Sequence, residues 1–120
     1  MTAGISATAA NSALDTLLGS TPAFTLHTGD PGSAGTANAS AGDATKITGA
    51  MSSASAGSKA LSANAGPWTN ASTTETLTHV SAWITTVFKL SAALTASQAW
   101  VDTNTFTLTT FTVSITPVAA

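Results

Sequence analysis

The sequence predicts a mainly β domain: an antiparallel β-sandwich-like fold with a short N-terminal helix and a long loop region rich in Gly, Ala and Ser. Two segments, ETLTHVSAWITTVFKLSAAL (75–94) and TFTLTTFTVSIT (105–116), are rich in Thr, Val, Ile and aromatic residues and place apolar residues at alternating positions. Residues 29–66 instead hold seven of the nine glycines and few large apolar side chains. The 120 residues suit a single domain. We divide it into an N-terminal helix (1–20), a turn and extended arm (21–66) and a β-rich core (67–120).

The N-terminal segment predicts a helix followed by a short strand. Apolar residues recur there at spacings of three and four and form one stripe, comprising Ile5, Ala9, Ala13, Leu14, Leu17 and Leu18. Gly19 is placed to end the helix, and Pro22 disfavours helix at the residue before it. The following AFTLHTG alternates Phe24 and Leu26 with Thr25 and His27, which predicts a strand.

The glycine-rich region 29–66 is long for a loop in a compact domain. We expect one short strand near Lys46–Met51 and another near Lys59–Leu61. The alternative is that much of the region, residues 33–66 in particular, becomes ordered only against neighbouring subunits.

The two β-rich segments predict a hairpin and a final strand. Val80, Ala82 and Ile84 should share one face and Leu77, His79 and Trp83 the other. Phe88, Leu90, Ala92 and Leu94 continue on alternate residues, so a break near Thr85–Thr86 would make two paired strands. In the last segment Phe106 and Leu108 have one parity and Phe111, Val113 and Ile115 the other, which predicts a bulge at Thr109–Thr110. An uncharged strand of this kind is expected to be central in a sheet or covered in an assembly.

The composition argues against several function classes. Ala, Thr and Ser make up more than half of the chain, and charged residues only 7%. The cations are Lys46, Lys59 and Lys89, too few and too scattered to displace counterions from nucleic-acid phosphates. No cysteine is present, so neither disulfides nor thiolate metal sites are expected. No basic segment precedes the first apolar residues, and no apolar run has the length of a membrane span. We therefore expect a chain that is made in the cytoplasm, or that reaches the outside by a route that needs no signal, with no nucleic-acid or membrane partner.

The stretch LHTGDPGSAGTANASAGD (26–43) concentrates residues that could carry chemistry. His27 and Asp30 could belong to a catalytic triad, but hydroxyl groups near a histidine carry little information in a chain that is one-third Ser and Thr. The glycines at 29, 32 and 35 lack the GK[ST] ending of a phosphate-binding loop, whereas Asp30-Pro31-Gly32 has the residues of a tight turn. The acidic residues show no metal-ligand spacing. We expect no catalytic residue, no metal and no cofactor.

The three tryptophans allow more than one interpretation. Trp83 lies within an alternating strand and is expected in the core. Trp68 and Trp100 lie near predicted loops or strand starts, so they could be either core lids or interface anchors. A third possibility is an exposed aromatic platform for a carbohydrate.

Several motifs together resemble a known family. ANSALDTLLGS leads into FTLHTGDPGSAGTANASAG, and after a Ser- and Ala-rich middle come ETLTHVSAW and LSAALTASQAWVDTNTFTLTTFTVSI. This combination resembles a family of small virion proteins of tailed bacteriophages, especially phages of actinobacteria, over nearly the whole chain. Its most specific parts are Leu26–Gly32, Thr78–Trp83 and Leu94–Phe106.

The resemblance implies a non-enzymatic structural protein of the virion, without catalytic residues. We expect a capsid decoration or minor capsid protein that forms a homo-oligomer and contacts the major capsid protein. The alternatives are a minor tail protein contacting tail subunits, and an adhesin module that binds host-surface glycans. Asp30, Pro31, Gly32, Trp68 and Trp100 are the candidate residues for the assembly interface.

Overall fold

A computed structural model describes residues 4–116 and confirms the mainly β fold class. One helix precedes nine strands. The elements are α1 (Ala7–Leu18), β1 (Ala23–His27), β2 (Ile47–Thr48), β3 (Ala50–Met51), β4 (Ser58–Ala63), β5 (Ala65–Thr69), β6 (Thr74–Ile84), β7 (Val87–Val101), β8 (Thr105–Leu108) and β9 (Thr112–Ser114). All strand pairs are antiparallel, and the molecule is elongated, measuring 54 × 25 × 24 Å along its principal axes.

The predicted helix is present and has a defined cap at each end. The Ser6 hydroxyl accepts a hydrogen bond from the Ala9 amide, and the helix ends at Gly19, whose φ of +61° suits glycine. Its buried face comprises Ala10, Leu14 and Leu18, which repeat every four residues. The predicted stripe was therefore too wide: Ala9 and Ala13 are exposed and Ile5 precedes the helix, because only a narrow face of α1 contacts the sheets.

The first sheet has the strand order β2–β1–β6–β7. Its largest part is the β6–β7 hairpin, which turns at Thr85–Thr86 as predicted, with Thr85 at a φ of +56°. β7 extends to Val101, well beyond the predicted end at Leu94. β1 is an inner strand, although it comes from the region assigned to the arm.

The second layer is built from β4 and β5, which follow one another and pair with β9 and β8 respectively. The Leu61 amide also donates to the Phe111 carbonyl, between the two pairs. The change of parity at Thr109–Thr110 is present, but it separates two strands rather than forming a bulge within one. β8 pairs only with β5, and β9 pairs only with β4. Both are therefore edge strands and not central ones.

The core lies between these layers. It contains residues from α1 and from both layers, including Leu18, Phe24, Leu26, Met51, Ala65, Trp68, Leu77, Val80, Ala82, Trp100, Leu108 and Phe111. The prediction placed Leu77 on the face opposite Val80, and this was wrong. A register shift between Leu77 and His79 interrupts the alternation, so both side chains reach the core.

The glycine-rich region is folded against this chain. It contains β2, β3 and β4, so the strands predicted near Lys46–Met51 and Lys59–Leu61 are confirmed. β5 crosses the predicted boundary at residue 66, so the sheets draw strands from both sides of it. Residues 33–66 are held by backbone hydrogen bonds and strand pairs within the chain, several of which are described below.

Candidate functional site

The GDPG motif forms a tight turn at the end of β1. The Asp30 carboxylate accepts a hydrogen bond from the Gly32 amide at 2.9 Å, and the Ala37 amide donates to the Pro31 carbonyl at 2.9 Å. Gly32 and Gly35 both have a φ of +74°, which explains why glycine occupies these positions. The chain then returns beside β1, where the Thr28 amide donates to the Asn38 carbonyl. The turn is therefore confirmed.

His27 lies inside this loop and is 1% exposed. Its Nδ1 is 2.9 Å from the Ala37 carbonyl, which can only accept, so Nδ1 carries the proton. In the neutral ring Nε2 then accepts from the Ser81 hydroxyl at 2.7 Å. The Ser81 oxygen in turn accepts from the Trp83 indole N–H at 2.7 Å. This chain of hydrogen bonds fixes the tautomer of His27.

Burial lowers the pKa of His27 below its usual 6.5, although the hydrogen bond to the Ala37 carbonyl opposes the shift. A serine beside a neutral histidine is the start of a nucleophilic site. Here, however, Ser81 is completely buried, and the hydrogen-bond partners of His27 do not include a carboxylate. A substrate could not reach the hydroxyl, so this arrangement serves the packing of the loop on the sheet.

The loop covers the second face of the first sheet. Gly35 lies directly on Phe88: a Cβ at this glycine would be 2.2 Å from the ring. Phe88 packs on Trp83 with ring centroids 5.4 Å apart, and the Lys46 ammonium lies 4.4 Å from the centre of the Trp83 ring. The sequence leaves it open whether residues 33–66 become ordered only against neighbouring subunits. In the structure the first part of this segment lies over the chain's own sheet, where Gly35 contacts Phe88.

All five acidic residues of the chain accept hydrogen bonds from backbone amides. Glu75 binds the Ser40 hydroxyl and the amides of Ala41 and Gly42, each amide at 3.1 Å. The other four carboxylates accept from Gly32 (Asp30), Thr45 and Thr69 (Asp43), Ser72 (Asp102) and Ala54 (Asp15). Within residues 4–116, no three His, Asp or Glu side chains are close enough to share a metal ion. The carboxylates hold loops in place.

A buried ion pair ties the helix to β4. The Lys59 side chain is 2% exposed, and its ammonium donates to Asp15 at 2.7 Å and to the Ser52 carbonyl at 2.9 Å. The hydrogen bonds from Lys59 and the Ala54 amide lower the pKa of Asp15. The Asp15 carboxylate is partly exposed, so one partner of the pair is desolvated and the other is not.

The candidate interface residues do not form one surface. Trp68 and Trp100 are 0% and 1% exposed, so both are core residues and not interface anchors. Their strands bring them into the centre, where the Trp68 N–H donates to the Thr45 carbonyl at 2.9 Å. Pro31 is buried as well, while Asp30 and Gly32 remain exposed in the turn. Trp83 is 7% exposed, as expected for a core residue, so none of the three indoles offers a platform for a carbohydrate.

A groove between strand edges was missed from the sequence. β7 is the edge of the first sheet, and β8 and β9 are edges of the second layer. Between these edges is a groove of about 460 Å³, lined by residues of β7 between Ala92 and Gln98, by residues 106–112 and by Val80. No lining residue is charged. The long uncharged runs 90–101 and 103–116 were the sequence signal for this open side.

No protein-family model and no curated protein matches this chain. In the part of the chain that the structure describes, no helix has the length and apolar character needed to cross a membrane. Two features of the structure therefore bear on function: the uncharged groove between strand edges, and the carboxylates that accept hydrogen bonds from backbone amides of the loops.

Proposed function

We propose that this protein is a non-enzymatic structural component of a tailed-phage virion, made in the host cytoplasm and then assembled on the capsid surface as a decoration or minor capsid protein. The motifs from LHTGDPG to the last strand support the virion role through their resemblance to small phage structural proteins. A charge-poor surface supports assembly against other protein, because few charges must lose water when such a surface meets protein. Residues 1–120 contain no long repetitive shaft sequence, which favours the head over a tail fibre.

The observation that carries the proposal is a contrast between the side chains that could act on a substrate and the strand edges that could pair with another protein. The groups that could do chemistry are engaged: five carboxylates hold backbone amides, and His27 and Ser81 are buried. The features left open are strand edges on one side of the molecule, without charge and without proline over 90–101 and 103–116. Exposed edges with these properties bind other protein strands, whereas isolated proteins protect them.

The test is binding to assembled particles. The purified chain is mixed with shells of the major capsid protein of its own phage and, separately, with tail tubes, and each mixture is sedimented. We expect saturable co-sedimentation with the shells, at a ratio fixed by the capsid lattice. Saturable binding to tail tubes alone would replace the capsid role by the tail role.

Failure to bind either particle, together with retention on host cell-wall glycans, would overturn the structural proposal in favour of an adhesin. An excess of free glycan in the sedimentation experiment separates the two cases. Binding to protein shells should be unaffected by the sugar, whereas an adhesin would be released.

A further inference from the structure

Part of β7 projects from its sheet. In the ladder with β6, Leu77 pairs with Gln98 and His79 with Ala93, so four residues of β7, Leu94–Ser97, bulge between these pairs. Along the first half of β7, alternate residues are half-buried, as in a regular strand with one covered face. Thr95–Ala99 are instead five consecutive exposed residues. We name Thr95–Ala99 the projecting segment.

The edge that carries the projecting segment lacks the usual protection. Natural edge strands are short, or carry charges or proline. The opposite edge of this sheet follows that rule, since β2 has only two residues. β7 has fifteen residues, and from residue 90 onward it contains neither a charge nor a proline. The large hydrophobic side chains exposed in the described part of the chain, Val87 (54%) and Val101 (41%), are the two ends of this strand.

The bulge lies beside the groove, which has Leu94, Phe106 and Phe111 among its lining residues. These three residues belong to the core cluster or pack against it, so the groove opens onto the core. A strand placed against the projecting segment would therefore lie over the groove.

The charge pattern favours a second copy of this chain as the occupant. A two-fold interface brings each residue near its own copy, so charged edges repel themselves when they pair. The projecting segment and the groove walls are uncharged, which removes this penalty. Along β7 and its continuation the nearest charges are Lys89 and Asp102, outside the segment on either side. On the neighbouring strand Glu75 pairs with Trp100, and its carboxylate is bound by the amides of Ala41 and Gly42. With an axis at Ser97, the two Lys89 residues would be roughly 50 Å apart at the rise of a β-strand.

We propose that the projecting segment pairs antiparallel with the same segment of a second copy, across a two-fold axis at Ser97, so that each copy covers the groove of the other. Thr95 then lies opposite Ala99 of the second copy, and Ala96 opposite Gln98. The inference rests on the proposed assembly role, to which it adds the identity of one partner and the contact surface.

Cross-linking tests the register directly, because the chain contains no cysteine. In an antiparallel pair, opposed Cα atoms are about 4.5–5.5 Å apart, within the range of a disulfide. Ser97→Cys should therefore form a disulfide-linked dimer under mild oxidation. Ser62→Cys, an exposed serine in β4, is the matched control and should cross-link at least about ten-fold more slowly.

Mass in solution tests the interface without oxidation. The parent chain should sediment as a dimer at micromolar concentration, and Ala96→Lys should shift it to monomer because it places two ammonium groups beside the axis. Ala13→Lys adds the same charge on the exposed face of α1 and should leave the dimer unchanged. Circular dichroism and thermal unfolding of each variant show whether it is folded.

A parent chain that is monomeric at all concentrations, or an oligomer in which Ser97→Cys cross-links no faster than Ser62→Cys, would overturn the inference. Neither result depends on particles. A chain that binds capsid shells yet fails these tests retains the proposed function and loses this interface. A chain that passes them without binding any particle loses the proposed function instead.

Discussion

Mild acid should destabilise this protein through His27. Burial lowers the pKa of the folded-state ring below 6.5, whereas the unfolded chain exposes the ring to water and restores its ordinary pKa. Below pH 6.5 the unfolded state therefore binds a proton that the folded state does not. The stability contributed by the neutral ring is fully present above pH 6.5 and is lost as the pH falls towards the folded-state pKa.

The size of this loss of stability is set by the uptake of one proton by the His27 ring in the unfolded chain. The free energy of unfolding can change by at most about 1.4 kcal/mol per pH unit for a single group. Between pH 7.5 and pH 5.5 the total loss is at most about 1.4 kcal/mol, reached when the ring stays neutral in the fold, and most of it falls below pH 6.5, where the unfolded ring takes up its proton. Carboxyl groups ordinarily titrate below this window and contribute little to the change.

Urea unfolding followed by tryptophan fluorescence at the two pH values measures this difference. His27→Gln should abolish it, whatever the variant does to stability at pH 7.5, because glutamine does not titrate. His79→Gln is the control and should keep it, since His79 is only half-buried. If His27→Gln retained the full loss of stability between pH 7.5 and 5.5, the reasoning from burial would be refuted.

Three further predictions concern the loops and the buried ion pair, and urea unfolding at pH 7.5 checks each. Gly35→Ala should cost about 3 kcal/mol, from a left-handed backbone and a steric clash with the Phe88 ring beneath it. Gly32→Ala has the same φ, but its Cβ would lie 3.7 Å from the Ala37 Cβ, an ordinary contact, and it should cost about 1 kcal/mol; equal losses would contradict the clash. Glu75→Gln should cost on the order of 2 kcal/mol, because an amide cannot accept all the bonds that the carboxylate accepts, and an unchanged stability would contradict this role. Asp15→Ala should destabilise more than Lys59→Met, because it leaves a desolvated ammonium without its partner; the reverse order would show that the ammonium finds another acceptor.

Local pattern was enough to predict the fold class and several elements. The polar pair Thr85–Thr86 between two alternating segments predicted the long hairpin, and Asp30-Pro31-Gly32 predicted the turn. These predictions succeeded because hairpins and tight turns depend on residues that are neighbours in the chain.

Other features depend on contacts between distant parts of the chain, and the sequence pattern could not supply them. Trp68 and Trp100 are buried because the ladders of β5 with β8 and of β6 with β7 bring both into the core, and burial is invisible when strand order is unknown. His27 has the alternation of an exposed position, yet a loop returning from beyond Gly35 covers it. The open side was missed for the same reason, since an uncharged strand can equally be central or at an edge.

β4 and β5 leave the ribosome before the whole β6–β7 hairpin and long before β8 and β9, the strands that pair with them. The second layer can therefore close only after Ser114 has been synthesised. During that interval the apolar side of β4 and β5 has no cover, and with so few charges nascent chains scarcely repel one another. Yield of folded protein should therefore depend on the density of ribosomes making it, and slower initiation should help more than slower elongation.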